Sequence, residues 1–150
     1  MPVPQEPSLK GRALRLLSMR EHSRAELERK LARHEQEPGQ LQRALDELQA
    51  KGFIDEQRVL ESVLHRRAGR LGALRIRQEL QAKGLAADQV SQALAQLKPT
   101  ELARAREVWR KRFDGPAADA AGRARQSRFL AARGFGAEVI RQVIGGHADD

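Results

Sequence analysis

The sequence predicts an all-α protein of nine helices, arranged as three tandem three-helix repeats of helix-turn-helix type, elongated and curved. Three observations predict it. Leu, Ala, Arg, Gln and Glu dominate the composition, all good helix formers, while Val and Ile are few and never alternate over a strand length. Apolar residues recur at helical spacing, as in Val90, Ala93, Leu94 and Leu97. The pattern itself also recurs. Leu27, Leu31, Leu41, Ala44 and Leu45 are matched 49 residues on by Ile76, Leu80, Val90, Ala93 and Leu94, and fifty further on by Leu130, Ile140, Val143 and Ile144. The third copy breaks at Gln126, where the others carry Leu27 and Ile76.

Each helix has its own signals. Leu9, Ala13, Leu16 and Leu17 give the first, over 8–19. Ser23 followed by Glu26 spells a capping box that opens the second, over 24–35. Pro38-Gly39 breaks the chain before Leu41, Ala44, Leu45 and Leu48 carry helix three to Lys51-Gly52. Asp55 is placed to cap helix four, with Glu56 at the positive end of its dipole. Ile76 and Leu80 share a face of helix five, which Lys83-Gly84 ends before helix six. Pro99 starts helix seven with Leu102, Ala105, Trp109 and Phe113. Asp114-Gly115-Pro116 breaks it, an Ala- and Arg-rich helix eight ends at Arg133-Gly134, and a short helix nine is closed by Gly145-Gly146. The expected organisation is a tail over 1–7, repeats over 8–53, 54–98 and 99–146, and a tail over 147–150.

Composition narrows the chemistry. The chain has no Cys, hence no disulfide, thiolate metal site or thiol nucleophile, which suits a reducing cytoplasm. No apolar run approaches a membrane span, and the first residues lack the basic-then-apolar order of a signal peptide. His22, His34, His65 and His147 are isolated from one another, so no metal is expected. No catalytic constellation or phosphate loop is apparent, so neither enzymatic activity nor a cofactor is expected. Glu26 with Lys30 and Glu79 with Lys83 read as ordinary surface pairs four residues apart.

The net charge of +8 is uneven: residues 1–60 carry +1 and residues 61–150 carry +7. That bias points to a polyanionic partner. A central tract, Arg66, Arg67, Arg70, Arg75, Arg77 and Lys83, faces one acid, Glu79. Arg104, Arg106, Arg110, Lys111 and Arg112 form a second tract, and Arg123, Arg125, Arg128 and Arg133 a third. The residues expected to meet the partner are Arg66, Arg67, Arg70, Arg75, Arg77, Lys83, Arg104, Arg110 and Lys111. With five aromatics in the chain, phosphate contact without sequence reading is favoured over base stacking. Trp109 and Phe113, at helical spacing, read as core.

Three stretches in order, LLSMREHSRAELERKL over 16–31, LQAKGFIDEQR over 48–58 and GALRIRQELQAKGL over 72–85, resemble the RecX regulators of recombination. The resemblance extends over about residues 9–145, nearly the whole chain. Val59-Leu60 stands where that family often has Phe-Ala, and Glu56 replaces a second Asp. The resemblance implies a modulator that binds the RecA–single-stranded DNA filament and suppresses its ATP hydrolysis, strand exchange and co-protease activity. It places the chain in homologous recombination, DNA repair and the SOS response. Single-stranded DNA, and duplex DNA weakly and without sequence preference, are the expected nucleic-acid contacts. The alternative is a helix-turn-helix transcription regulator, which would need a preferred duplex sequence and a dimer. No dimerisation segment is evident, and a monomer is expected.

Overall fold

The computed structural model describes residues 6–145. The Gly146 stop, His147 and most of both expected tails lie outside the described residues. Nine α-helices and two short 3₁₀ turns make up the secondary structure, with no strand among the described residues. The helices are α1 (Leu9–Met19), α2 (Arg24–Leu31), α3 (Gln40–Ala50), α4 (Glu56–Arg67), α5 (Ala73–Ala82), α6 (Ala87–Leu97), α7 (Glu101–Arg112), α8 (Ala120–Ala132) and α9 (Ala137–Gly145).

The caps explain the boundaries. Ser8 accepts from the Gly11 amide to open α1. The capping box is formed in full: Ser23 Oγ accepts from the Glu26 amide at 3.1 Å and the Glu26 carboxylate accepts from the Ser23 amide at 3.0 Å. Asp55 Oδ1 accepts from the amides of Gln57 and Arg58, as its place before α4 predicts. Helix two stops at Leu31 and tightens into a 3₁₀ turn over Ala32–His34, a common way for a last turn to end. Pro99 sits in a second 3₁₀ turn, Lys98–Thr100, and α7 begins after it.

Two compact units emerge. One comprises the described residues up to Ser62 together with Lys83–Leu85; the other comprises Val63–Ala82 and the described residues from Ala86 on. In the first, Leu9 and Ala13 of α1, Leu27 and Leu31 of α2, and Leu41, Leu45 and Leu48 of α3 close on Ile54. In the second, Ala105, Val108 and Trp109 of α7 pack with Leu130, Phe135, Ile140 and Val143. Phe113 meets Phe129 edge-on, with ring centroids 5.3 Å apart. Ile76, Leu80, Val90, Ala93 and Leu94, the matched positions of the middle repeat, are all buried.

The break at Gln126 has a physical reason. Its side chain is buried, its Oε1 accepts from the Trp109 indole N–H at 3.0 Å, and its Nε2 donates to the Gly115 carbonyl at 3.0 Å. The third repeat packs the large indole inside, and the indole's polar edge wants an acceptor where the other repeats offer a methyl group. Gln126→Leu would restore the repeat pattern yet remove both bonds. It is expected to lower stability by about 1–3 kcal/mol in urea unfolding, since the partners of a removed buried group lose their bonds.

Two pairings read from spacing are corrected. Glu26 does not pair with Lys30; it is turned inward and takes Arg20 at 2.7 Å and Lys83 at 3.2 Å. Lys30 Nζ instead lies 2.9 Å from His22 Nε2. Glu79 pairs with Arg67 at 3.2 Å rather than with Lys83. Lys83, whose side chain is drawn inward to the buried Glu26, is thereby withdrawn from Glu79, which takes Arg67 instead; an exposed pair four residues apart would be worth only ~0.3 kcal/mol.

Candidate polyanion-binding cleft

The second unit carries a cleft of ≈ 440 Å³ walled by Arg67, Arg70, Arg75 and Arg133, with Leu71, Gln78 and Glu79. Each wall follows from local sequence. Arg67 ends α4, and the chain then turns tightly, with the amides of Arg70 and Leu71 both donating to the Arg67 carbonyl. That turn brings Arg70 back beside α5. Arg75, Gln78 and Glu79 are three and four apart on one face of α5. Arg133 comes from the end of α8, where Gly134, at φ +93°, lets the chain reverse. The Phe135 amide then donates to Leu130 and the Gly134 amide to Ala131, a paired closure that leaves Phe135 buried.

The first turn of α5 is docked on that reversal. The Gly72 amide donates to the Arg133 carbonyl at 2.8 Å, the Leu74 amide to the Gly134 carbonyl at 3.1 Å, and Arg75 to the Ala132 carbonyl at 2.7 Å. Free amides at a helix start meet free carbonyls at a helix end, and the two dipole ends are opposite in sign. A similar joint is built in the first unit, where Ser23 Oγ donates to the Lys83 carbonyl at 2.6 Å and Gly84, at φ +76°, closes on Ala25.

A buried bracket stands behind the cleft. Arg104 donates to the carbonyls of Ala68 at 2.7 Å and Leu71 at 2.8 Å and pairs with Glu101 at 3.3 Å. Glu101 in turn accepts from the Ala73 amide. Burial lowers the Arg104 pKa from its ordinary value, with the Glu101 charge opposing.

Of the residues singled out from sequence, then, Arg67, Arg70 and Arg75 come together. Arg66, on the last turn of α4, is exposed; Arg77 is half-buried on α5 outside the cleft lining. Lys83 packs in the first unit against Glu26, and Arg104 is bonded inside the fold. Arg110 is exposed beside Glu107, and Lys111 is exposed. Arg133 completes the cleft although the sequence placed it in the third tract. Its signal was the period: Arg133-Gly134 stands fifty residues after Lys83-Gly84. Four guanidinia against the single carboxylate of Glu79 leave the cleft strongly positive, and Arg67 offsets that carboxylate. Arg133 also covers the Phe129 ring at 4.9 Å, which fixes its plane. Such a site can hold phosphate or carboxylate oxygens through paired N–H donors. Among the described residues no group of three His, Cys, Asp or Glu could hold a metal ion. No helix among them is long and apolar enough to cross a membrane.

Three family models match in order: the first three-helix domain of RecX over residues 10–48, the second over 55–94 and the third over 100–144. The chain belongs to the RecX family. Among its RecX relatives, the Regulatory protein RecX of Leptothrix cholodnii is 59% identical over 91% of this chain and 87% of its own length. That of Ralstonia nicotianae is 48% identical over 97% and 92%. The crystal structure of RecX from Lactobacillus salivarius has a TM-score of 0.77 at 18% identity, covering 95% of this chain and 96% of that one. A second RecX crystal structure has a TM-score of 0.75 at 21% identity, covering 92% and 71%. At those identities the structures speak for the RecX fold, while the close relatives speak for the family.

Proposed function

We propose that this chain is a negative modulator of RecA. In this reading it binds the RecA–single-stranded DNA filament and lowers its ATP hydrolysis, strand exchange and co-protease activity, and so acts on recombination, DNA repair and the SOS response in the cytoplasm. The observation that carries the reading is the match of all three RecX three-helix domains, in order, along the chain. The relatives' printed name, Regulatory protein RecX, supports a regulatory rather than a catalytic role. A nucleoprotein filament offers what the cleft is suited to take, a line of phosphates, and Arg67, Arg70, Arg75 and Arg133 are the residues assigned to them. Arg66, Arg77, Arg110 and Lys111 add charge near the partner, whereas Arg104 and Lys83 hold the fold in shape. The protein acts as a monomer whose repeats, over 8–53, 54–98 and 99–146, meet the filament in succession.

The test is single-stranded-DNA-dependent ATP hydrolysis by the cognate RecA, titrated with this protein at a salt concentration that abolishes its own DNA binding. A fall at substoichiometric protein is the expected result; an unchanged rate would overturn the reading. The Arg70→Ala, Arg75→Ala double variant should keep its helicity by circular dichroism yet bind single-stranded DNA more weakly. Its plot of log affinity against log salt should flatten by about 1.4 if both guanidinia meet phosphate, each contact contributing roughly 0.7 to the slope. An unchanged slope would move the phosphate contacts elsewhere.

A further inference from the structure

The first unit has a second concavity, larger than the arginine cleft and different in kind. It is a groove of ≈ 510 Å³ between α1 on one side and the end of α2 with its 3₁₀ turn on the other. Its floor is apolar: Leu16, Met19 and Leu31. Leu31 is buried in the core, which anchors the floor, while Met19 is 72% exposed, the most exposed large apolar side chain among the described residues. Gly11, with no side chain, leaves the upper part of the α1 wall open.

The rim is cationic on both sides. Arg12 and Arg15 rise from α1, and Arg33 faces them from the 3₁₀ turn. None of these three has a carboxylate partner among the described residues, whereas Lys10, Arg20, Arg24, Arg58 and Lys83 of this unit each have one. Lys30 is also at the rim, held by His22. Partial burial and then the charges of Arg12 and Arg33 push the His34 imidazole below its ordinary pKa, with Glu6 opposing, so the cations dominate the rim.

An apolar floor between unpaired cations selects its occupant. A phosphate chain would satisfy the rim but leave Leu16 and Met19 facing a charged backbone, and no Phe, Tyr or Trp lines the groove as a platform for successive bases. A second apolar surface would cover the floor but strand the guanidinia. A peptide segment with one large apolar side chain, flanked by Asp or Glu, satisfies both. Methionine suits such a floor because its unbranched thioether adapts to the side chain it meets.

We propose that this groove is a docking site for an acidic segment of the protein partner, its apolar anchor seated on Leu16, Met19 and Leu31 and its carboxylates meeting Arg12, Arg15 and Arg33. The inference rests on the function proposed above in taking that partner to be RecA. The filament is then held in two chemically distinct ways: phosphate at the arginine cleft, protein at the groove.

The experiment uses the full chain and RecA filaments assembled on immobilised oligo(dT) with a slowly hydrolysed ATP analogue. Binding of the wild type, Met19→Glu, Arg15→Glu and a charge-matched control, Arg43→Glu on the exposed face of α3, is measured by interferometry. Bare oligo(dT) is run in parallel. Met19 and Arg15 are exposed, so these variants keep the fold, which circular dichroism checks. Met19→Glu and Arg15→Glu are expected to bind filaments at least tenfold more weakly, with Arg43→Glu within twofold of wild type and bare-DNA binding within twofold for Met19→Glu. Wild-type filament affinity in Met19→Glu would overturn the inference and leave the proposed function standing. Equal loss on filament and bare DNA would assign the groove to nucleic acid instead. Concentration-dependent self-association of the wild type, abolished in Met19→Glu, would assign it to a second copy of the chain. No filament binding by the wild type would overturn the proposed function itself, and the groove's assignment with it.

Discussion

Gly72→Val is expected to destroy the cooperative folding of the second unit, costing more than about 4 kcal/mol, beyond the usual range of single substitutions. A Cβ on Gly72 would stand 2.4 Å from the Gly134 carbonyl oxygen and 2.5 Å from both the Gly134 carbonyl carbon and the Phe135 nitrogen. These are backbone atoms, so no rotamer change can make room. They also belong to the reversal whose carbonyls take the Gly72 and Leu74 amides. Moving them apart by the ångström or so that a side chain needs would break those bonds and leave polar groups without partners in a buried place. The control is Gly69→Val, where an added Cβ meets nothing within 4 Å and the cost should stay near that of a surface change. Urea unfolding followed by circular dichroism and by Trp109 fluorescence separates the two. A Gly72→Val protein within about 1 kcal/mol of wild type would show that the joint yields without loss.

Acid should weaken the first unit in two successive steps. His22 is buried, with Nδ1 3.1 Å from the Arg20 carbonyl and Nε2 facing the Lys30 ammonium. An ammonium can only donate, so Nε2 accepts, Nδ1–H donates, and the ring is neutral. Burial lowers its pKa from 6.5; the charges of Arg20 and Lys30 act the same way, while the Arg20 carbonyl and Glu26 oppose. The unfolded chain therefore takes up this proton first. The contribution of His22 is whole above pH 6.5 and declines as pH falls below it.

Glu26 titrates lower. Burial raises its pKa, but hydrogen bonds from Arg20, the Ser23 amide and Lys83 outweigh that and hold the carboxyl at about 2, against 4.5 when free. Its contribution is whole above pH 4.5 and is lost as pH falls toward 2, a change on the order of 3 kcal/mol. Glu26→Gln should shrink the lower step to the smaller part left by the exposed Glu47, whose pKa is lowered by hydrogen bonds from Lys10 and Lys51. It should also cost about 3 kcal/mol at pH 7, because Lys83, whose side chain is 13% exposed, would remain buried beside a neutral amide. Lys30→Met should shrink the upper step and spare the lower one. A pH–stability curve of Glu26→Gln parallel to wild type between pH 4.5 and 2 would contradict the assignment.

The sequence made visible whatever depends on neighbours along the chain. Ser23 with Glu26 spelled a cap, Asp55 spelled another, and the apolar spacing around Ile76 and Val90 marked the buried faces. The period of about fifty residues revealed the repeats because each copy must bury the same stripe. What depended on distant partners stayed hidden. Glu26 reads as a surface acid until Lys83, 57 positions on, is seen beside it. Gln126 reads as a defect until the Trp109 indole is placed against it. The arginine tracts could be counted but not oriented. Arg104, one of the expected contacts, is drawn in by carbonyls 33 and 36 positions away, and Arg133 is delivered to the cleft by a turn. The apolar groove left no trace in sequence, since Met19 and Leu31 look like any helical hydrophobics.

The docking of α5 on the end of α8 also bears on the order of events as the chain is made. The amides of Gly72 and Leu74 have their acceptors at Arg133 and Gly134. A nascent chain must add about sixty residues after the donors before the acceptors exist, roughly 3–12 s at ordinary rates of synthesis. Through that interval the Gly72 and Leu74 amides have only water, while Glu101, made earlier, can take the Ala73 amide. The second unit is thus completed only once Gly134 has been made, and a product cut short before it leaves the Gly72 and Leu74 amides without those acceptors. Such a product should be cleared by proteolysis rather than compete with the full-length protein for its partner.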